Sequence, residues 1–323
     1  MNRWLLRILF ILAALMFFPF SSPAPLIYRY GEGWTYEKPG TPTGWYKDRA
    51  KDQLDVAQKA FDKGDYSLAL KSAQRVLTAW PLSDYAPQSQ YLVGRCYEAK
   101  KQDEKAFKAY QDILNKYPKS ANFQEVQQRQ LVIANRFLAG QRFKIWGILP
   151  LFPSMDKTAD MFDKIVKTGP YSDVAPQAQM GIGAAREKQK DYEAAVKAYE
   201  AAADRYNDQR EVAADALFKA GMVYNKQAKT AEYDQSISGQ AINTFNDFAA
   251  LYPEDSRVPQ LQQIITSLKA EQARGNFETA KFYENNKKWD GALIYYNEVL
   301  IKDPESPMAD QARQRIDTIK KRK

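Results

Sequence analysis

Side chains able to do covalent or acid–base chemistry are scarce in this chain of 323 residues. It has no histidine, which removes imidazole both as a general acid–base and as a metal ligand. Its one cysteine, Cys96, is too few for an internal disulfide or a thiolate metal site. Cys96 sits between Gly94 and Tyr97 in a helical pattern, so it reads as a small buried filler. Carboxylates are plentiful, but they are interleaved with lysines at helical spacing, which is the pattern of a solvated face. No GxSxG, Walker A, CxxC or HExxH motif occurs. We therefore expect no catalytic residue, no metal site, no cofactor and no enzyme activity. The chemistry to look for is recognition.

What does recur is a spacing of small and aromatic residues. Gly94 to Ala106 is 12 positions, and Gly94 to Pro118 is 24. The same offsets link Ala57, Ala69 and Pro81, then Gly183, Ala195 and Asn207, then Ala280, Ala292 and Pro304. Gly221 to Ala241 is 20, the same unit with eight residues added at its turn. An aromatic follows four after the second small residue at Tyr110, Tyr199, Phe245 and Tyr296. Small residues let two helices cross closely, and the aromatics fill the space beside the crossing. This is the helix–turn–helix pattern of the tetratricopeptide repeat, so the predicted fold is all-α, a superhelical solenoid of such units.

The elements that hold this spacing follow in order. Residues 1–24 read as a signal peptide or N-terminal anchor: Arg3 and Arg7 precede the apolar run Ile8–Phe20. Residues 25–46 form an arm with six aromatics and four glycines between Tyr28 and Tyr46. It either packs its rings on the first repeat or recognises a partner. Residues 47–118 hold units 1 and 2. Residues 119–170 hold an irregular unit 3 interrupted by the apolar hairpin 142–154, with Phe143, Ile145, Trp146, Ile148, Leu149, Leu151 and Phe152. That stretch either folds back on the repeats or dips into a membrane surface or a protein groove. Unit 4 spans 171–207. Its opening, PYSDVAPQAQ, copies PLSDYAPQSQ from 89 residues earlier, and Ser83 or Asp84 and Ser172 or Asp173 are expected to cap the helices that follow. Unit 5 spans 208–253 with an insertion at 228–238, unit 6 spans 254–304, and 305–323 is a capping helix with a basic tail. The net charge of +8 is spread among charges of both signs, and the short tail Lys320–Lys323 does not make a nucleic-acid partner.

In such a solenoid the first helix of each pair faces inward. Positions three before, one after and four after the small residue line that concave face. They are Tyr91, Arg95 and Glu98 in the second repeat, Met180, Ala184 and Glu187 in the fourth, and Phe218, Met222 and Asn225 in the fifth. Mixed aromatic, methionine and charged content there suits an extended peptide.

The stretch YDQSISGQAINTFNDFAALYPEDSRVPQ, the long helix after it, and PYSDVAPQAQMGIG resemble the BamD family, the helical-repeat subunit of the outer-membrane β-barrel assembly machinery. The insertion in the fifth unit and the lengthened first helix of the sixth are similar to that family. The resemblance covers about residues 45–318 and implies a non-enzymatic scaffold of the cell envelope. It would be exported, periplasmic and associated with the outer membrane, and would bind the barrel-forming subunit and unfolded outer-membrane proteins. A different periplasmic repeat adaptor, linked to cell wall or division, is the other reading. Two features depart from the family pattern: no cysteine for lipidation follows the apolar run, and the arm and the hairpin are additional.

Overall fold

The computed structural model describes residues 26–36, 44–119, 122–145, 149–150, 153–230 and 235–322. The chain divides into two compact units, Met1–Val126 and Gln127–Lys323. Each is a succession of antiparallel helices, as expected for the all-α tetratricopeptide-repeat class.

The first unit opens with a two-stranded hairpin, β1 (Leu26–Arg29) and β2 (Gly33–Tyr36), in antiparallel register with Tyr28 opposite Trp34. Gly31 and Gly33 at its turn take φ of 77° and 76°, a left-handed conformation that glycine adopts without steric cost. Four helices follow: α1 (Ala50–Asp62), α2 (Tyr66–Ala79), α3 (Ala86–Ala99) and α4 (Asp103–Lys116), each packed on the next. Helix α5 (Phe123–Leu138) begins in this unit and ends in the second. The second unit contains a short strand pair, β3 (Lys144–Ile145) and β4 (Leu149–Pro150), and then eight helices. These are α6 (Met155–Thr168), α7 (Ala175–Gln189), α8 (Tyr192–Arg205), α9 (Arg210–Thr230), α10 (Gln235–Leu251), α11 (Val258–Asn285), α12 (Trp289–Lys302) and α13 (Pro307–Arg322). Consecutive members of this series pack together.

The repeated spacing acts through one contact. A Cβ built on Gly94 would lie 2.3 Å from the Tyr110 ring, one on Gly183 2.5 Å from Tyr199, and one on Gly221 2.4 Å from Phe245. A hydrogen in place of a methyl lets the ring sit flat on the partner helix. All three rings are buried, each contributing about 1.5–3 kcal/mol of apolar transfer.

The 89-residue copy is also a copy of hydrogen bonds. Gln90 Nε2 donates to the Ala109 carbonyl and Gln179 Nε2 to the Ala198 carbonyl, both at 3.0 Å. Tyr117 Oη donates to the Pro81 carbonyl at 3.1 Å, and Tyr206 Oη to the Pro170 carbonyl at 3.0 Å. Lys101 and Lys190 take left-handed φ of 54° and 65° at the turns between helices.

The expected serine and aspartate caps need correction. Helices α3 and α7 are preceded by Tyr85 and Val174, with no side-chain cap. Ser83 Oγ and Ser172 Oγ instead donate backward to the Trp80 and Gly169 carbonyls, closing the preceding turn. Pro87 and Pro176 do occupy the first turn, where a missing N–H costs nothing. Side-chain caps stand elsewhere: Asp65 accepts from Leu68 N–H at 3.0 Å and Asp191 from Ala194 N–H at 3.2 Å. The insertion of the fifth unit is largely absorbed by lengthening α9 to Thr230 and beginning α10 at Gln235. Helix α11 runs for 28 residues.

Candidate protein-binding surfaces

The positions expected from the repeat to line its concave face carry a second repeated contact. Tyr110 Oη donates to Glu98 at 2.6 Å, and Tyr296 Oη to Glu284 at 2.7 Å. Tyr199 is hydrogen-bonded to Glu187, and burial first, then that carboxylate, pushes its phenol upward from the ordinary value. Each carboxylate lies 12 residues before its tyrosine, so the inward residue of the first helix is tied to the ring that covers the small residue. In the fifth unit the pair is replaced. Asn225 stands where the glutamates stand, Phe245 stands where the tyrosines stand, and the buried Asn225 Oδ1 has no hydrogen-bond partner among the described residues.

In the first unit, Tyr91 and Arg95 are half-buried on α3. Tyr91 Oη bonds the Glu125 carboxylate and its ring lies 6.0 Å from that of Tyr110. The Arg95 guanidinium lies over Phe61 at 5.3 Å and over Tyr91 at 5.9 Å. In the second unit, Glu187 pairs with Lys226 at 3.0 Å. Met180 and Met222 are half-buried beside the cores of their units. Phe218 packs edge-on to Phe248, with the Arg257 guanidinium over it at 4.6 Å. Arg257 is held in turn by Asp255 at 2.8 Å and Asp215 at 3.2 Å. That pairing outweighs partial burial and lowers the Asp255 carboxyl to about 2.

Of the apolar hairpin residues, Phe143 is buried and stacked on Phe137, with centroids 4.2 Å apart. Ile145 and Leu149 are backbone partners in the β3–β4 pair. Trp146, Ile148, Leu151 and Phe152 lie outside the described residues, as does the 1–24 segment.

Two clefts were not anticipated from the sequence. One of about 540 Å³ in the second unit is lined by Asp163, Lys167, Tyr171, Gln179, Lys197 and Arg205, with Tyr171 exposed. One of about 420 Å³ lies between the N-terminal arm and the first repeat, lined by Glu32, Trp34, Tyr46, Arg75, Trp80 and Leu82. The arm divides its aromatics. Trp45 lies under Lys71 at 4.2 Å and Tyr46 under Arg75 at 3.5 Å, both on the first repeat. Tyr28, Tyr30 and Trp34 are exposed. The alternating aromatics Tyr28, Tyr30, Trp34 and Tyr36 were the signal of an extended arm available in the sequence. Among the described residues no helix is long and apolar enough to cross a membrane.

Residues 153–322 match the YfiO family, described as Outer membrane lipoprotein, over just more than half of the chain. The chain belongs to that family. Residues 88–120 separately match a tetratricopeptide repeat, on α3 and α4 where Tyr110 covers Gly94. No curated protein matches the chain. Among solved structures, it is similar to the C-terminal part of a tetratricopeptide-repeat protein from Cytophaga hutchinsonii. That pair shares 14% identity over 82% of this chain and 87% of the other, with a TM-score of 0.37. It is also similar to YrrB, described as a tetratricopeptide-repeat protein with an unusual peptide-binding site, at 12% identity over 67% and 92%, TM-score 0.36. A third is a protein from Parabacteroides merdae at 10% identity over 84% and 98%, TM-score 0.35. The family and repeat matches together support a protein-binding adaptor of the tetratricopeptide type.

Proposed function

We propose that this chain is a non-enzymatic scaffold of the cell envelope that serves the assembly of outer-membrane β-barrel proteins. In this reading it is periplasmic, associated with the outer membrane, and binds the barrel-forming assembly subunit and unfolded outer-membrane proteins. The observation that carries the reading is the family match across 153–322, which covers the lengthened α11 and its cap α13. Support comes from the half-buried aromatic, methionine and arginine side chains at the inward positions. Tyr91 and Arg95 offer a ring and a stacked cation to an extended polypeptide, and Met180, Phe218 and Met222 offer adaptable apolar contacts. The apolar hairpin 142–154 is a second contact in this proposal, to the membrane surface or to a partner.

Photoreactive residues at Tyr91, Met222 and Trp146, introduced one at a time in intact cells, test the reading. Cross-links from Tyr91 or Met222 to a barrel-forming subunit with periplasmic domains, or to unfolded barrel proteins, are expected. Labelling of cell-wall or division proteins alone would sink the assembly role and leave a generic repeat adaptor.

A further inference from the structure

The β1–β2 hairpin is built with its apolar face outward. Leu26, Tyr28 and Trp34 lie on one face of the two-stranded sheet, since Leu26 and Tyr28 are two apart and Trp34 is directly opposite Tyr28. The Tyr28 and Trp34 rings form an exposed edge-to-face pair with centroids 5.4 Å apart. Tyr28 is 59% exposed, Trp34 68% and Tyr30, at the turn, 93%. A water-facing hairpin would present polar residues at these positions.

This hairpin is clamped to the first repeat. Asp84 N–H donates to the Gly31 carbonyl at 2.8 Å. The buried Glu32 carboxylate accepts from Lys51 N–H at 3.4 Å and lies 3.8 Å from Arg49. The fold therefore holds the aromatic face away from its own core. We infer that the face of Leu26, Tyr28, Tyr30 and Trp34 seats the first repeat on a lipid bilayer, in the headgroup region.

Two observations select a bilayer over a protein partner. Exposed tryptophan and tyrosine side chains are the ones that settle at membrane–water interfaces. The apolar run Ile8–Phe20 ends five residues before Leu26, and six extended steps span at most about 20 Å. A bilayer holding that run has the hairpin within reach of its surface. The chain's net charge of +8 favours anionic headgroups. The inference rests on the hairpin and on the apolar run that precedes it, and does not need the assembly role.

The test uses the full chain reconstituted into vesicles of phosphatidylethanolamine and phosphatidylglycerol. A fluorophore is attached at Leu26→Cys, on the same face, or at the exposed Glu305→Cys as reference. Cys96 stays in place because it is fully buried. Nitroxide lipids labelled at the headgroup are expected to quench the Leu26→Cys probe about threefold more than the reference. Adding Tyr28→Ser and Trp34→Ser, both at exposed sites, should bring the two probes level while the helical circular dichroism is kept. Equal quenching without those changes overturns the inference. Cross-linking of a photoreactive residue at Trp34 to a protein, with no lipid quenching, overturns it in favour of a protein partner.

Discussion

Asn225 is the residue whose environment asks most plainly for a different neighbour. In the second and sixth units the same position is a glutamate accepting from a buried tyrosine, and in the fourth the pair is Glu187 and Tyr199. In the fifth, Phe245 covers Gly221 just as the tyrosines cover their glycines, but it has no hydroxyl to offer Asn225 Oδ1. Phe245→Tyr places a donor there. It is expected to stabilise the fold by about 0.5–1.5 kcal/mol, read as a higher urea midpoint at unchanged slope. Gly94→Ala and Gly183→Ala act in the opposite sense. Each pushes a methyl into a ring and should cost about 1–3 kcal/mol, with a midpoint no lower than wild type as the contrary result. Cys96 gives a third test. Burial, against the nearby Lys100 and Arg95, pushes its thiol up to about 11. It is then a protonated, covered thiol at pH 8, and native protein should resist alkylation that denatured protein undergoes. The glycine contacts were legible in the sequence because the offset of 12 recurs in four copies and is stretched to 20 in the fifth. The glutamate–tyrosine pairs were legible in the same spacing, but they became evident only when the structure showed the second helix turning its ring back onto the first.

Elements, more than single residues, account for where the chain ends its core. Helix α13 covers the last repeat by burying Ala312, Ile316 and Ile319 beside Phe277 and Val299. Its polar anchor is Arg315, which donates to Glu284 from Nε at 3.0 Å while Tyr296 donates to the same carboxylate. Burial alone raises the Glu284 carboxyl, but the hydrogen bonds from Arg315 and Tyr296 outweigh it and hold it below its ordinary value. The phenol of Tyr296 is pushed up to about 12 by burial and by Glu284. Glu284→Ala leaves both donors without their shared acceptor, so amide exchange in α13 should accelerate about tenfold while α7 and α8 are unchanged. Uniform acceleration would show that the pair supports the whole unit instead of its cap. The turn at Asp255 gives the pH dependence. A carboxyl lowered to about 2 when folded, against about 3.9 unfolded, contributes stability that is fully present above pH 5 or so and is lost as pH falls toward 2. Asp255→Asn should flatten that acid limb and leave the neutral region's slope as it was. The helices were visible in the periodicity of the sequence. Their starts were not, because Ser83 and Ser172 can serve equally as caps or as backward donors, and only the backbone at Tyr85 and Val174 decides between them.

At the scale of the molecule, the family match and the additions to it divide along the chain. The YfiO match lies within 153–322, entirely in the second unit, whereas the aromatic hairpin and its clamp belong to the first. Partner contacts proposed for the two units should therefore be separable. Arg95→Glu shortens a half-buried side chain and reverses the charge beside Tyr91, removing the cation stacked on Phe61. If the first unit receives unfolded barrel proteins, this change should weaken their cross-linking from Tyr91 about tenfold and leave co-purification of a barrel-forming subunit intact. Met222→Lys, on a half-buried inward position of α9, should do the reverse. Simultaneous loss of both activities in either variant, with helical content preserved, would mean that one continuous surface serves both partners. The inward positions could be enumerated from the repeat because its period assigns them by arithmetic. Which of them meet a partner could not, because the same arithmetic places Glu98 and Glu187 where their first obligation is to the buried tyrosine of their own unit. The Arg95 and Met222 variants separate those obligations, since neither side chain takes part in a glutamate–tyrosine pair.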